Sequence, residues 1–246
     1  MVFSAAGQRF WKRADVAVSD GQWSVQLDER PVRLPGGAVL RVPSRSLAEA
    51  ICAEWDAAGR DDPKGRLRPE EFGLTRIAGT MIERIAPQRQ EMESALLAYA
   101  SSDLLCYRAD HPHELCEEQE RLWGPILDLA ERLYGARLKV THGILPVEQD
   151  AAALARLARV LSGLSDAQLA GLGVAVPACG SFVLGLVLAG GHLDAREAAY
   201  AAMLDERFQM ARWGEDHAIT DRLATLQAEL DEVVRFVTLA ADNRAV

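Results

Sequence analysis

The chain has 246 residues, 49% of them apolar and 26% charged, with a formal charge of -9 and a pI near 5.1. That composition fills one large core or two small ones and excludes a disordered chain. The negative field disfavours nucleic acid and anionic membranes as partners and favours a basic protein surface.

The N-terminus, MVFSAAGQRFWKRADV, lacks an apolar run with a small-residue cleavage site, so it reads as mature protein rather than a secretory signal. Val16, Val18, Trp23, Val25 and Leu27 recur at near period two, which predicts half-buried strands. Ser19-Asp20-Gly21 marks a hairpin, and Asp28-Glu29-Arg30-Pro31 and Pro35-Gly36-Gly37 mark further turns. Val32 and Leu34, then Val39, Leu40 and Val42, complete a small antiparallel meander.

At Pro43 the period changes. Ser46 with Glu49 three residues on reads as a capping box, opening a helix that carries Leu47, Ile51 and Trp55 and ends at Gly59. The charged stretch Arg60 to Glu71, with Pro63, Gly65 and Pro69, is the best linker. The expected division is therefore a β-rich domain with one helix over 1–72 and a helical domain over 73–246. Helices are predicted at about 74–86, 88–101, 114–134, 150–163, 165–172, 178–190, 194–213 and 216–240. The uncharged run Leu172 to Gly191 approaches membrane-spanning length, but Pro177, Gly180 and Gly185 interrupt it, which suits a helix buried inside a soluble domain.

No Walker-type phosphate loop, dinucleotide-binding glycine pattern, nucleophile elbow or HExxH helix occurs. Cys52, Cys106, Cys116 and Cys179 form no CxxC pair and are expected as free thiols, with Cys179 inert in apolar surroundings. His111, His113 and Cys116 are the densest set of metal-type ligands, and no second cluster joins them. A metal-dependent hydrolase built on them is one alternative; a scaffold subunit retained in its final complex is another. No catalytic residue, metal or cofactor is expected.

Trp213, Glu215, Asp216, His217 and Asp221 crowd a corner between two predicted helices. Acids there cap the following helix through its dipole, or meet basic groups of a partner. An indole on an exposed corner is the residue type that anchors protein interfaces. Asp205 and Glu206 are a second acidic pair, splayed by about 100° on their helix and so not sharing one face.

Several segments, in this order, resemble one family. They are Arg9-Phe10-Trp11-Lys12, LDERPVRLPGG from Leu27, Glu54-Trp55-Asp56, LTRIAGTMIERI from Leu74, SSDLLCYR from Ser101, and the stretch from Ser181 to His217. The family is that of the ATP synthase F(1) assembly chaperones acting on the free α subunit, also called F(1) assembly factor 2. Gly79 and Gly124 depart from its pattern. The resemblance implies an α+β fold: a small N-terminal antiparallel β domain followed by a larger, mainly α-helical domain. It implies no catalysis and a partner in the F(1) α subunit. Without a clear transit segment the expected setting is the bacterial cytoplasm, or the mitochondrial matrix for a eukaryotic source. Glu215 is the first residue expected to contact that partner, with Trp213, Asp216 and Glu206 beside it. A monomer is favoured.

Overall fold

A computed structural model describes residues 7–19, 21–143, 145–214 and 216–241. Strands β1 (Ala14–Ser19) and β2 (Gln22–Leu27) pair antiparallel along their whole length, Val16 opposite Val25. Asp28 and Glu29 both take positive φ between β2 and β3 (Arg30–Pro31), the geometry that a two-residue hairpin turn requires. The Asp28 carboxylate accepts the amides of Lys12 and Arg13 at 3.1 and 3.0 Å, which fixes the turn against the strand start. β4 (Arg41–Val42) pairs with the other side of β2. The predicted meander is present.

Helix α1 (Arg45–Ala57) covers this sheet, burying Leu47, Ile51 and Trp55. Its cap is Ser44, whose hydroxyl accepts the Leu47 amide at 3.1 Å. The expected Ser46–Glu49 box does not form. Glu49 instead pairs with Arg45 at 2.7 Å, one turn back along the helix. Two serines lie within reach of the first turn, and pattern alone did not separate them.

The stretch Arg60 to Glu71 is no linker. Its backbone is held by the N-terminal segment: Leu67 donates to the Gly7 carbonyl at 3.0 Å and Arg9 donates to that of Gly65 at 2.7 Å. Gly59 takes φ +69, and a β-carbon there would lie 3.0 Å from the Gly65 carbonyl. The charges of the loop pair locally, Arg66 with Asp62 and Arg68 with Glu71, so they solvate a folded loop.

α2 (Gly73–Thr80) passes through one π turn (Met81–Ile85) into α3 (Ala86–Ser101), which is kinked at Gln88. The contacts divide the chain into one compact unit of Met1–Arg89 with Arg235–Val246 and a second of Gln90–Val234. This places α2 with the sheet, whereas the reading by composition divided the chain after residue 72. The cause is Glu54, whose carboxylate accepts the Leu74 and Thr75 amides at 2.6 and 3.0 Å and so caps α2 from α1.

The second unit is helical: α3 from Gln90 on, α4 (His113–Tyr134), α5 (Ala151–Gly163), α6 (Asp166–Cys179), α7 (Phe182–Ala189), α8 (Ala195–Ala202), α9 (Leu204–Trp213) and α10 (His217–Ala241) as far as Val234. Two short strands, β5 (Tyr107–Arg108) and β6 (Thr141–His142), pair in parallel within it. α7 is its central helix, with Phe182, Val183, Leu184, Leu186, Val187 and Leu188 all buried. α6 runs through Pro177 and breaks at Gly180, φ +63, later than predicted, because Pro177 stands in the last turn. Among the described residues no helix is long and apolar enough to cross a membrane.

Candidate functional site

The corner singled out in the sequence joins α9 to α10. Met203 leaves helical geometry at φ -106 and ψ 26, splitting the single helix predicted over 194–213 into α8 and α9. Leu204 is the buried residue of α9, and the helix ends at Gly214, φ +110 and ψ 164, a conformation open in practice to glycine. Trp213 is the last helical residue, with 78% of its surface exposed.

Asp216 starts α10. Its carboxylate accepts the Ala218 amide at 2.8 Å and its carbonyl accepts that of Thr220 at 3.2 Å. This is a helix cap, the role the dipole favours, on an exposed residue. Glu206 accepts from Arg222 at 3.2 Å across the two helices. Glu215 lies outside the described residues. Of the four expected contact residues, the structure thus leaves Trp213 free of the core, uses Asp216 as a cap, and ties Glu206 to Arg222.

Asp205 turns the other way. Its carboxylate accepts from the Gln119 amide at 2.7 Å, and the Gln119 oxygen accepts the Ala109 amide at 2.8 Å, which links α9 to α4 and the loop before it. Burial raises the Asp205 pKa, and the charge of Glu206 adds to the rise. Arg207 lies 3.0 Å above the Tyr200 ring and donates to the Tyr200 carbonyl, and burial lowers its pKa. Tyr200 is itself 41% exposed. The sequence reading missed Tyr200, Arg207 and Arg222. One signal was available: Glu206 and Arg222 stand eight positions either side of Gly214, the spacing expected of partners in an antiparallel pair.

The metal-type residues do not converge. His111 Nδ1 meets Asp110 at 2.5 Å, His113 Nε2 meets Glu117 at 3.2 Å, and the Cys116 thiol donates to the Ala109 carbonyl at 3.2 Å. Each takes a neighbour of its own, and among the described residues no three His, Cys, Asp or Glu side chains gather as a metal ion requires. Cys52, Cys106, Cys116 and Cys179 are free thiols, and burial pushes Cys106 and Cys179 up to about 12, which keeps both unreactive.

The segment SSDLLCYR builds structure rather than an active site. Asp103 is fully buried and accepts the Ser181 hydroxyl at 2.8 Å and the Val183 amide at 2.9 Å, closing the start of α7. Arg108, also buried, donates through Nε to the Leu105 carbonyl at 2.8 Å and lies 5.2 Å from the Trp123 ring. Arg9 and Trp11, from another of the quoted segments, serve the first unit: the Trp11 indole donates to the Trp55 carbonyl at 3.0 Å.

An exposed indole, a capped helix start and a pair of bridged helices thus meet at this corner. The profile of the family described as "ATP12 chaperone protein" matches residues 8–131. The chain belongs to the ATP12 chaperone family. It is 28% identical over 218 residues to "Protein atp12, mitochondrial" of Schizosaccharomyces pombe, covering 84% of this chain and 74% of that protein. The crystal structure of Atp12 from Paracoccus denitrificans superposes with a TM-score of 0.86 at 37% identity, covering 95% of this chain and 98% of that one. A protein of Agrobacterium tumefaciens gives a TM-score of 0.87 at 34% identity, covering 94% and 85%. The α+β architecture, a small antiparallel sheet followed by a mainly helical part, is therefore that of the ATP12 chaperones of ATP synthase assembly, which act as assembly chaperones and not as enzymes.

Proposed function

We propose that this ATP12-family chaperone binds the free F(1) α subunit and covers the surface that α later gives to β, releasing it on assembly. The observation that carries the reading is Trp213, 78% exposed at the corner between α9 and α10 and flanked by acids. A large indole held in water has lost the burial that would stabilise it by roughly 2–3 kcal/mol, and a partner's apolar surface supplies that burial.

The physical logic follows from the client. A free subunit of a hexameric ring exposes an apolar patch that promotes aggregation. A chaperone must cover it and later let go, so its interface uses a few anchors inside a polar rim rather than a continuous apolar face. Trp213 is the anchor, and Glu206, Glu215 and Asp216 are the rim facing basic groups of the client.

The test is to mix the protein with isolated α subunit. A complex is expected on gel filtration, with light scattering from aggregating α suppressed at equimolar ratio. Trp213→Ala should weaken the complex at least tenfold with the melting temperature unchanged. If α elutes alone and aggregates equally fast at every ratio tried, the proposal is wrong.

A further inference from the structure

Between Leu204, fully buried, and Leu226, 8% exposed, no described residue is buried. This stretch contains most of α9 and the first turns of α10, and it carries five large apolar side chains: Phe208, Met210, Trp213, Ile219 and Leu223. In α7 of the same unit such residues are all buried. Here they stay partly or largely in water.

Two ties set the path of the stretch. Glu206 pairs with Arg222 at 3.2 Å, and Thr220 donates to the Met210 sulfur at 3.8 Å. The first pair stands eight positions either side of Gly214 and the second four before and six after it, so the two segments run antiparallel and form a hairpin with Trp213 near its tip. At about 1.5 Å per residue, the ten residues of α9 reach about 15 Å. Helices this short hold poorly without tertiary packing, and this one buries Leu204 alone. The hairpin is therefore anchored at its base, where Asp205 meets Gln119 and Arg207 stacks on Tyr200, and beyond it no described residue before Leu226 is fully buried.

We infer that residues 205–225 form a helical arm that docks as a unit on an apolar patch of the client ringed by basic side chains. Phe208, Trp213, Ile219 and Leu223 supply the apolar centre; Glu206, Asp216 and Asp221 supply the rim. Charge complementarity selects this occupant. The unit Gln90–Val234 carries 23 acidic against 11 basic residues, whereas the rest of the chain carries 13 against 16. The arm thus stands on the acidic part of the molecule, whose field attracts a basic rim and repels an acidic one. The inference rests on the α-subunit reading above and adds the element that makes the contact.

Hydrogen exchange on the intact protein, with and without isolated α subunit, tests it. In the free protein the amides of 205–225 should exchange at least tenfold faster than those of α7. In the complex their exchange should slow at least tenfold. Failure to form any complex sinks the α-subunit reading. A complex that leaves arm exchange unchanged, with protection elsewhere, overturns the arm and spares that reading. A second arm of the test is Asp221→Lys, expected to weaken α binding at least fivefold at unchanged melting temperature, against Glu148→Lys as an exposed control of equal charge change. Equal effects of the two substitutions overturn the basic-rim assignment.

Discussion

The Glu206 carboxylate meets the Arg222 guanidinium at 3.2 Å across sixteen positions of sequence, and this contact holds α9 against α10. Both side chains are substantially exposed, so the pair is worth about 0.2–1 kcal/mol. Glu206→Lys and Arg222→Glu should each lower stability by less than about 1 kcal/mol in urea unfolding. The double exchange, Glu206→Lys with Arg222→Glu, should restore it. Affinity for the α subunit should fall in Glu206→Lys and stay low in the double exchange, because the client then faces a lysine. Recovery of affinity with stability would assign Glu206 to bracing the arm alone.

Asp216 has two roles that separate by substitution. Asp216→Ala removes the cap from α10, a loss of about 1 kcal/mol. Because that turn packs on no core, the loss should appear as faster amide exchange at Ala218 and Thr220 with little change in melting temperature. Asp216→Asn keeps an acceptor for the Ala218 amide and removes the charge. Its exchange should match the parent while its α affinity falls about threefold, the scale of one rim charge. Unchanged affinity in Asp216→Asn would leave the residue as a cap only.

How much of this was legible depends on whether the cause was local. The β1–β2 hairpin was readable, because Val16, Val18, Val25 and Leu27 alternate on either side of a turn signal. The break at Met203 was not, since methionine is a good helix former and only packing turns the chain there. The folded state of Arg60 to Glu71 was hidden for a similar reason: its charged residues look solvated, and the backbone bonds that hold it come from Gly7 and Arg9, nearly sixty positions away. At the corner, glycine after Trp213 announced an exposed indole. The pairing of Glu206 with Arg222 needed the antiparallel return of α10, which local pattern does not carry.

Arg9 shows what one of those distant residues contributes. Its Nη1 donates to the carbonyls of Trp55, Asp56 and Ala58 at 3.1, 2.8 and 3.0 Å, which satisfies the end of α1 where no amide follows. Arg9→Ala should destabilise the protein by roughly 2–3 kcal/mol, the scale of hydrogen bonds to a charged group. Arg9→Lys should recover only part, since a single ammonium cannot reproduce the planar fork. Unfolding in urea followed by circular dichroism measures both, and an Arg9→Ala loss below about 0.5 kcal/mol would contradict this reading.

The buried acid Asp103 gives the fold a pH dependence of defined sign. Burial pushes its pKa up from the ordinary 3.8 to about 6, although the Ser181 hydroxyl and the amides of Leu105, Phe182 and Val183 favour the carboxylate. A raised value means that the folded chain holds this proton more tightly than the unfolded chain. The group's contribution to stability is thus full below the unfolded value, near 3.8, and is lost as pH rises through about 6. Asp103→Asn removes the titration while keeping an acceptor for the start of α7. The stability of the parent minus that of Asp103→Asn should therefore fall between pH 4 and pH 6.5, with a slope of at most about 1.4 kcal/mol per pH unit, and level off above. Urea unfolding of both proteins at half-unit steps of pH measures the difference. A difference that rises with pH over this window would mean that the four donors outweigh burial and hold Asp103 as a low-pKa carboxylate.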